Sequence, residues 1–199
     1  MRNGPTLIKF AAVFTAVIES LLLSANGQSP SPADGSGKAS DSVLPRKVVV
    51  PISTVNRFFP EVTGEASTGR NLTAVANTKA TRSVIYANSD SSKKVTITVD
   101  QYPTASDASS AYQEAVAKSK IVPGFKPVPA ENLGQDAFIG TVTQGGETHI
   151  GLGALHGTLI VGATLAGYDP TPESTAKLIS LTREEERAAK AAMDRNRQK

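Results

Sequence analysis

The chain opens on one block of apolar residues, Phe10 to Leu23, with Arg2 and Lys9 ahead of it and the small residues Ser24, Ala25 and Gly27 behind it. A run of about 14 residues falls short of the roughly 20 needed to cross a hydrocarbon core, so residues 1–27 read as a secretory signal rather than a membrane span. Glu19 inside the run weakens its partitioning into the membrane and leaves both cleavage and retention as a tether open. Residues 28–45, rich in Ser, Pro and Gly, read as a solvated linker that buries too little apolar surface to fold.

Beyond the linker the pattern alternates between strand and helix periods. Lys47 to Pro51 reads as a short edge strand ended by proline, and Ser53 as the cap of a short helix carrying Val55, Phe58 and Phe59. Residues 64–79 have weak periodicity and are expected as loop with at most a helical turn. The period then becomes two. Ser83–Asn88 and Lys94–Tyr102 predict a hairpin, with Val95, Ile97 and Val99 on one side and Thr96, Thr98, Asp100 and Tyr102 on the other. Thr104 or Ser106 opens an amphipathic helix through Ala108, Ala111, Tyr112, Ala115 and Val116, ending near Lys120. Pro123 to Pro129 then impose an extended connection.

Ala137 to Gly167 predicts a three-stranded meander with two-residue turns at Gly145-Gly146 and His156-Gly157, where glycine accepts positive φ. That register gathers Ala137, Ile139, Thr141, Ile150, Leu152, Ala154, Leu159, Val161 and Ala163 on an apolar face. The other face carries Phe138, Gly140, Val142, His149, Gly151, Gly153, Leu155, Ile160 and Gly162. A slip by one residue would mix the two sets. Thr171-Pro172-Glu173 then starts a last helix, and residues 184–199 extend it as a charged, solvated tail. The expected fold is α+β: an antiparallel sheet of about five strands, a hairpin plus the meander, with helices packed on one face. It occupies residues 46–183.

Composition narrows the setting. Roughly 150 residues remain after the signal and linker, enough for one domain with a real core. The chain has no cysteine, so disulfides, thiolate metal sites and an acylated cysteine anchor are excluded and stability has to come from packing. An exported protein without disulfides fits a bacterial envelope or medium. The formal charge of +3 is small and dispersed, partly over Arg195, Arg197 and Lys199, and provides no basic stripe for nucleic acid. Asn71-Leu72-Thr73 is a glycosylation triplet of the kind that arises by chance.

Three short stretches resemble exported single-domain envelope proteins of actinobacteria, both lipoprotein-like domains and receptor-kinase sensor domains. They are Val99-Asp100-Gln101-Tyr102 leading to Ser106-Asp107-Ala108, Leu133-Gly134 before Asp136-Ala137-Phe138, and the glycine-turn hairpin ahead of the last helix. The resemblance spans residues 47 to 182. It implies an α+β envelope domain and brings no catalytic residues and no lipidation cysteine.

The residues supply little overt chemistry. His149 and His156 are the only histidines, and their spacing offers no set of convergent metal ligands. Gly151-Leu-Gly153-Ala-Leu-His-Gly157 lacks the following helix that a dinucleotide-binding turn requires. Asp100 and Asp136 read as isolated surface acids. No nucleophile elbow, zinc-protease pair or phosphate loop is present, and no cofactor is implied.

The best candidate surface is the glycine-bearing sheet face, where Phe138, Gly140, Val142, His149, Gly151, Gly153, Leu155, Ile160 and Gly162 would frame a shallow apolar groove. The plainer alternative has Phe138 covering Gly153 while the glycines ease sheet twist. The function expected is a secreted or envelope-bound, non-catalytic domain that binds a small apolar molecule, a lipid or an envelope protein. It would touch a membrane only through an uncleaved signal. A hydrolase with an unrecognised site and a passive cell-surface interaction protein are the alternatives.

Overall fold

The computed structural model describes residues 42–69, 77–128, 136–144 and 146–197. The signal, the linker as far as residue 41, the Asn71 triplet and Leu133-Gly134 lie outside them. The described residues form a seven-stranded antiparallel sheet: β1 (Gly64–Gly69), β2 (Ala80–Ala87), β3 (Lys94–Gln101), β4 (Lys126–Val128), β5 (Asp136–Gln144), β6 (Glu147–His156) and β7 (Leu159–Ala166). Their spatial order is β1-β2-β3-β7-β6-β5-β4. A 3₁₀ turn (Arg46–Val48) and three helices complete the fold: α1 (Ile52–Val55), α2 (Ala105–Lys120) and α3 (Pro172–Arg197).

The α+β class agrees with the sequence, but the sheet has seven strands rather than about five. The two additions are edges. β1 arises from the weakly periodic segment and contains an irregularity between Glu65 and Ser67. β4 is three residues of the proline-rich connection, with Pro127 opposite Gly140. Edge strands are half-paired and need no alternating pattern, and proline is tolerated there. Lys47 to Pro51 is not a strand: the 3₁₀ turn and irregular backbone take its place, and Pro51 rather than Ser53 precedes the helix.

The meander matches its expected faces with one change of register. Gln144 pairs with Glu147, the register expected for β5 and β6. His156 pairs with Leu159, so the second turn is Gly157-Thr158, with Gly157 at φ +58°. Strand partners across β6 and β7 therefore differ by two residues from the expectation. Because side chains alternate with period two, an even shift leaves every residue on its expected face.

Helices cover both faces, not one. α3 closes the apolar face, where Leu178, Leu181, Ala189 and Ala192 pack with Val95, Ile97, Ile139, Ile150, Leu152, Val161 and Leu165. α2 lies on the opposite face and forms a second, smaller core from Tyr102, Ala108, Ala111, Tyr112, Ala115 and Ile160. The strand order requires such a crossing. β3 sits mid-sheet and β4 at the far edge, so the chain between them must cross β7, β6 and β5, and α2 is that crossing. Thr104 caps it, its Oγ1 accepting the Asp107 N–H at 3.1 Å.

The stretch from residue 184 is also not simply solvated. α3 runs unbroken to Arg197, and Glu185, Ala189 and Ala192 are fully buried. The spacing Leu178, Leu181, Glu185, Ala189, Ala192 repeats at three and four residues, so one stripe stays against the sheet while the charged side faces water.

Candidate functional site

The three central strands bring all nine sequence-predicted residues onto one face. Phe138 pairs with Gly153 and Gly153 with Gly162; Gly140 pairs with Gly151; Val142 pairs with His149; Leu155 pairs with Ile160. Rows of this kind stand about 4.8 Å apart from strand to strand, so the set forms one continuous patch. Gly151, Gly153 and Gly162, all buried, present only backbone where other residues would raise side chains.

What lies over the patch differs along it. Phe125 stacks on Phe138, ring centroids 5.3 Å apart and planes 17° from parallel. A Cβ on Gly140 would stand 2.2 Å from the Phe125 ring, so this glycine is required by close packing. Tyr112 comes down over Gly153, but a Cβ there would meet its ring only at 3.9 Å. At Gly162 nothing among the described residues approaches a Cβ closer than 3.9 Å. Neither glycine is needed to make room, so the opposed Gly153–Gly162 pair leaves the floor beneath α2 lower than packing demands.

Buried polar atoms flank this patch. His149 is 6% exposed; its Nε2 stands 3.9 Å from Glu147 Oε2, and its Nδ1 has no hydrogen-bond partner among the described residues. Burial pushes its pKa below the ordinary value, which the Glu147 carboxylate only partly opposes. At the other end the Tyr102 hydroxyl is buried with no partner among the described residues, and burial raises its pKa, with Asp100 and Glu114 adding to the effect. Asp100 is not the surface acid expected from the sequence: it is fully buried, and its Oδ1 accepts the Thr81 hydroxyl at 2.5 Å.

The acids and histidines do not converge. Asp100, Ile160, Leu155 and Asp136 form one cross-strand row, which separates the two aspartates by about 14 Å at ordinary strand spacing. His149 and His156 differ in strand parity and belong to opposite faces. Among the described residues no group of three or more His, Cys, Asp or Glu side chains is placed to hold a metal.

A second polar cluster, on the α3 side, has no counterpart in the sequence reading. Arg46 Nη2 donates to Glu65 Oε2 and to the Tyr86 hydroxyl, both at 2.6 Å, and its Nη1 donates to the Val49 carbonyl at 2.8 Å. The Tyr86 hydroxyl donates in turn to the Val50 carbonyl. Glu185 Oε2 accepts the Val50 N–H. Burial pushes Tyr86 to about 12 and Glu185 to about 8, with Arg46 pulling both the other way. The one legible signal was an acid inside an apolar stripe, Glu185 between Leu181 and Ala189. Arg46, Glu65 and Tyr86 carry no such mark. The cluster fastens the segment before α1 to the sheet and to α3.

No protein-family description matches the sequence, and no curated protein matches it. Among solved structures, the extracellular domain of PknH from Mycobacterium tuberculosis is similar in fold, with a TM-score of 0.51 and 12% identity over 74% of this chain and 100% of that one. LpqN of Mycobacterium tuberculosis, described as involved in cell envelope biogenesis, aligns with a TM-score of 0.31 and 15% identity over 61% of this chain and 76% of that one. The first of these likenesses establishes a shared fold.

Proposed function

We propose that this chain is an exported, non-catalytic domain of the cell envelope that takes up a small apolar molecule or lipid between α2 and the glycine-bearing sheet face. Residues 1–27 act as the signal and residues 28–41 as the linker that spaces the domain from it; the linker ends earlier than the expected residue 45, because Leu44 is already buried in the core and its N–H donates to the Thr81 carbonyl at 3.0 Å. The observation that carries the reading is the underfilled Gly153–Gly162 pair. Glycine in a strand costs about 0.5–1 kcal/mol relative to alanine, yet alanine would fit at both positions without a close contact. Sites that give up stability without a packing reason are the ones to examine for binding. The lid over them is light: alanines at 108, 111 and 115, the partly buried Val116 and one aromatic side chain, Tyr112, hold α2 to its core. The fold shared with an extracellular domain agrees with placement outside the cytoplasm.

The test is titration of the purified protein with an apolar fluorophore and with short-chain phospholipid, alongside Gly153→Phe and Gly162→Leu. Saturable binding at one site per chain, lost in both variants while they remain folded by circular dichroism, is the expected result. Binding that persists in the filled variants, or no saturable binding in the parent, overturns the reading.

A further inference from the structure

A cleft of about 240 Å³ opens at the end of the sheet where β3 begins and β7 ends. Its charged and polar walls are Glu61, Lys93, Tyr168, Asp169, Glu173 and Lys177, contributed by the segment after α1, the β2–β3 connection, the β7–α3 connection and the first turns of α3. Each of these corners is fixed. Asn88 Oδ1 accepts the Lys93 N–H at 3.0 Å, and Asp90 Oδ1 accepts the Ser92 N–H at 2.9 Å. Gly167, at φ +75°, lies against the Ser92 carbonyl so closely that a Cβ would stand 1.8 Å from its oxygen. Thr171 caps α3 through Ser174 N–H at 3.1 Å, and Phe59 meets the Tyr168 ring edge-on at 5.3 Å. A site built this way is preorganised.

The charges are mixed. Lys177 pairs with Glu173 at 2.7 Å on the helix surface, and Lys93 stands 3.6 Å from Glu61 while lying 5.1 Å above the Tyr168 ring. Asp169 adds a third carboxylate. Tyr168 is 9% exposed, and its hydroxyl faces the Glu61 carboxylate without reaching full hydrogen-bond distance to any described residue. Burial and the neighbouring Glu61 carboxylate keep that hydroxyl protonated, as a donor. A ligand oxygen in the cleft can complete the bond that Glu61 leaves long.

We propose that this cleft binds a small zwitterion, a free amino acid or short peptide presenting an ammonium and a carboxylate together. A lone anion would meet three carboxylates and a lone cation two ammonium groups; a molecule bearing both charges can set its carboxylate towards Lys93 and the Tyr168 hydroxyl and its ammonium towards Asp169 and Glu61. The loose Lys93–Glu61 pair is the one such a ligand exchanges into. The volume lies just below the range of about 300–1,000 Å³ typical of drug-sized ligands, which suits a molecule of this size. The inference is independent of the apolar site beneath α2, which lies on the other face of the sheet.

The experiment follows backbone amide resonances of the full protein during titration with alanyl-alanine, its N-acetyl derivative and its C-terminal amide, up to about 10 mM, where a millimolar binder is near saturation. Expected are saturable shifts at Gly167, Tyr168 and Ser174 with alanyl-alanine and at least tenfold weaker binding of either capped form. Asp169→Asn and Lys93→Gln should each weaken binding at least fivefold, whereas Lys190→Gln, far along α3, should not. Tyr168→Phe should weaken binding while leaving stability equal or higher. Absence of saturable shifts, equal binding of the capped peptides, or indifference to both charge substitutions overturns the proposal, whatever the apolar probes do.

Discussion

Glu185 and Val50 are joined across 135 positions of sequence: the carboxylate oxygen Oε2 in the middle of α3 accepts the Val50 backbone N–H at 2.8 Å. That bond binds the entry segment of the domain to its last helix. The other oxygen, Oε1, is buried with no partner among the described residues. A charged carboxylate with one bare oxygen in an apolar core is the costly form of the group, and the protonated form is the one the fold selects.

The first prediction is therefore a stability that falls with rising pH. Burial lifts Glu185 from its ordinary 4.5 to about 8, opposed in part by the Val50 N–H and by Arg46. The native state then holds a proton that the unfolded chain releases, so the contribution is complete below about 4.5, declines through neutrality and is lost above about 8. The size is on the order of a few kcal/mol. Urea denaturation at pH 5, 6.5 and 8 should show the decline. Glu185→Gln keeps an acceptor for Val50 and removes the titration, so it should flatten the curve; an unchanged slope would refute the assignment.

Two glycines on the same face should respond oppositely to alanine. Gly140→Ala drives a methyl into Phe125, which is itself stacked on Phe138, and should destabilise by about 1–3 kcal/mol through overpacking. Gly153→Ala meets only the Tyr112 ring at ordinary contact distance and should be neutral or stabilising by about 0.5–1 kcal/mol. Equilibrium denaturation of the pair decides it, and equal losses at both sites would remove the spare room on which the apolar-ligand reading depends.

What could be read from the sequence was what repeats along it. Ile150, Leu152 and Ala154 against Val161 and Ala163 announce a buried face through alternation alone, and an even shift of register cannot disturb that. β1 and β4 were not legible because an edge strand is defined by its neighbour's free hydrogen bonds, not by its own side chains. The side of the sheet taken by α2 was not legible either. That a crossing is needed at all follows from β3 standing beside β7, a pairing between segments more than fifty residues apart in sequence that no local pattern encodes. The nine residues of the candidate groove were found together because they share strand parity. The cover that Phe125 and Tyr112 lay over Gly140 and Gly153 is a tertiary fact.

Gly167→Ala should cost about 2 kcal/mol or more. The position combines a left-handed φ of +75° with the Ser92 carbonyl in the path of any Cβ, so both backbone strain and a contact with immobile backbone oppose the substitution. The same change should displace Tyr168 and Lys93 from the charged cleft. Denaturation midpoints together with the Tyr168 ring resonances measure both effects, and a variant as stable as the parent would show that this corner is free to move.

Tyr102→Phe is the substitution whose expected sign runs against intuition. Tyr102 is 1% exposed at the end of β3, enclosed by Ala108, Ala111, Tyr112 and Ile160, and its hydroxyl reaches no partner among the described residues. Burial raises its pKa and the Asp100 and Glu114 carboxylates raise it further, all favouring the neutral phenol. Removing an unmatched buried hydroxyl recovers desolvation free energy while the ring keeps its contacts, so the variant should gain about 1 kcal/mol. A Tyr102→Leu change, which also removes the ring, should lose stability instead. Urea midpoints of the two variants give the comparison. If Tyr102→Phe proves as damaging as Tyr102→Leu, the hydroxyl has a partner in solution and the floor beneath α2 is better satisfied than its geometry implies.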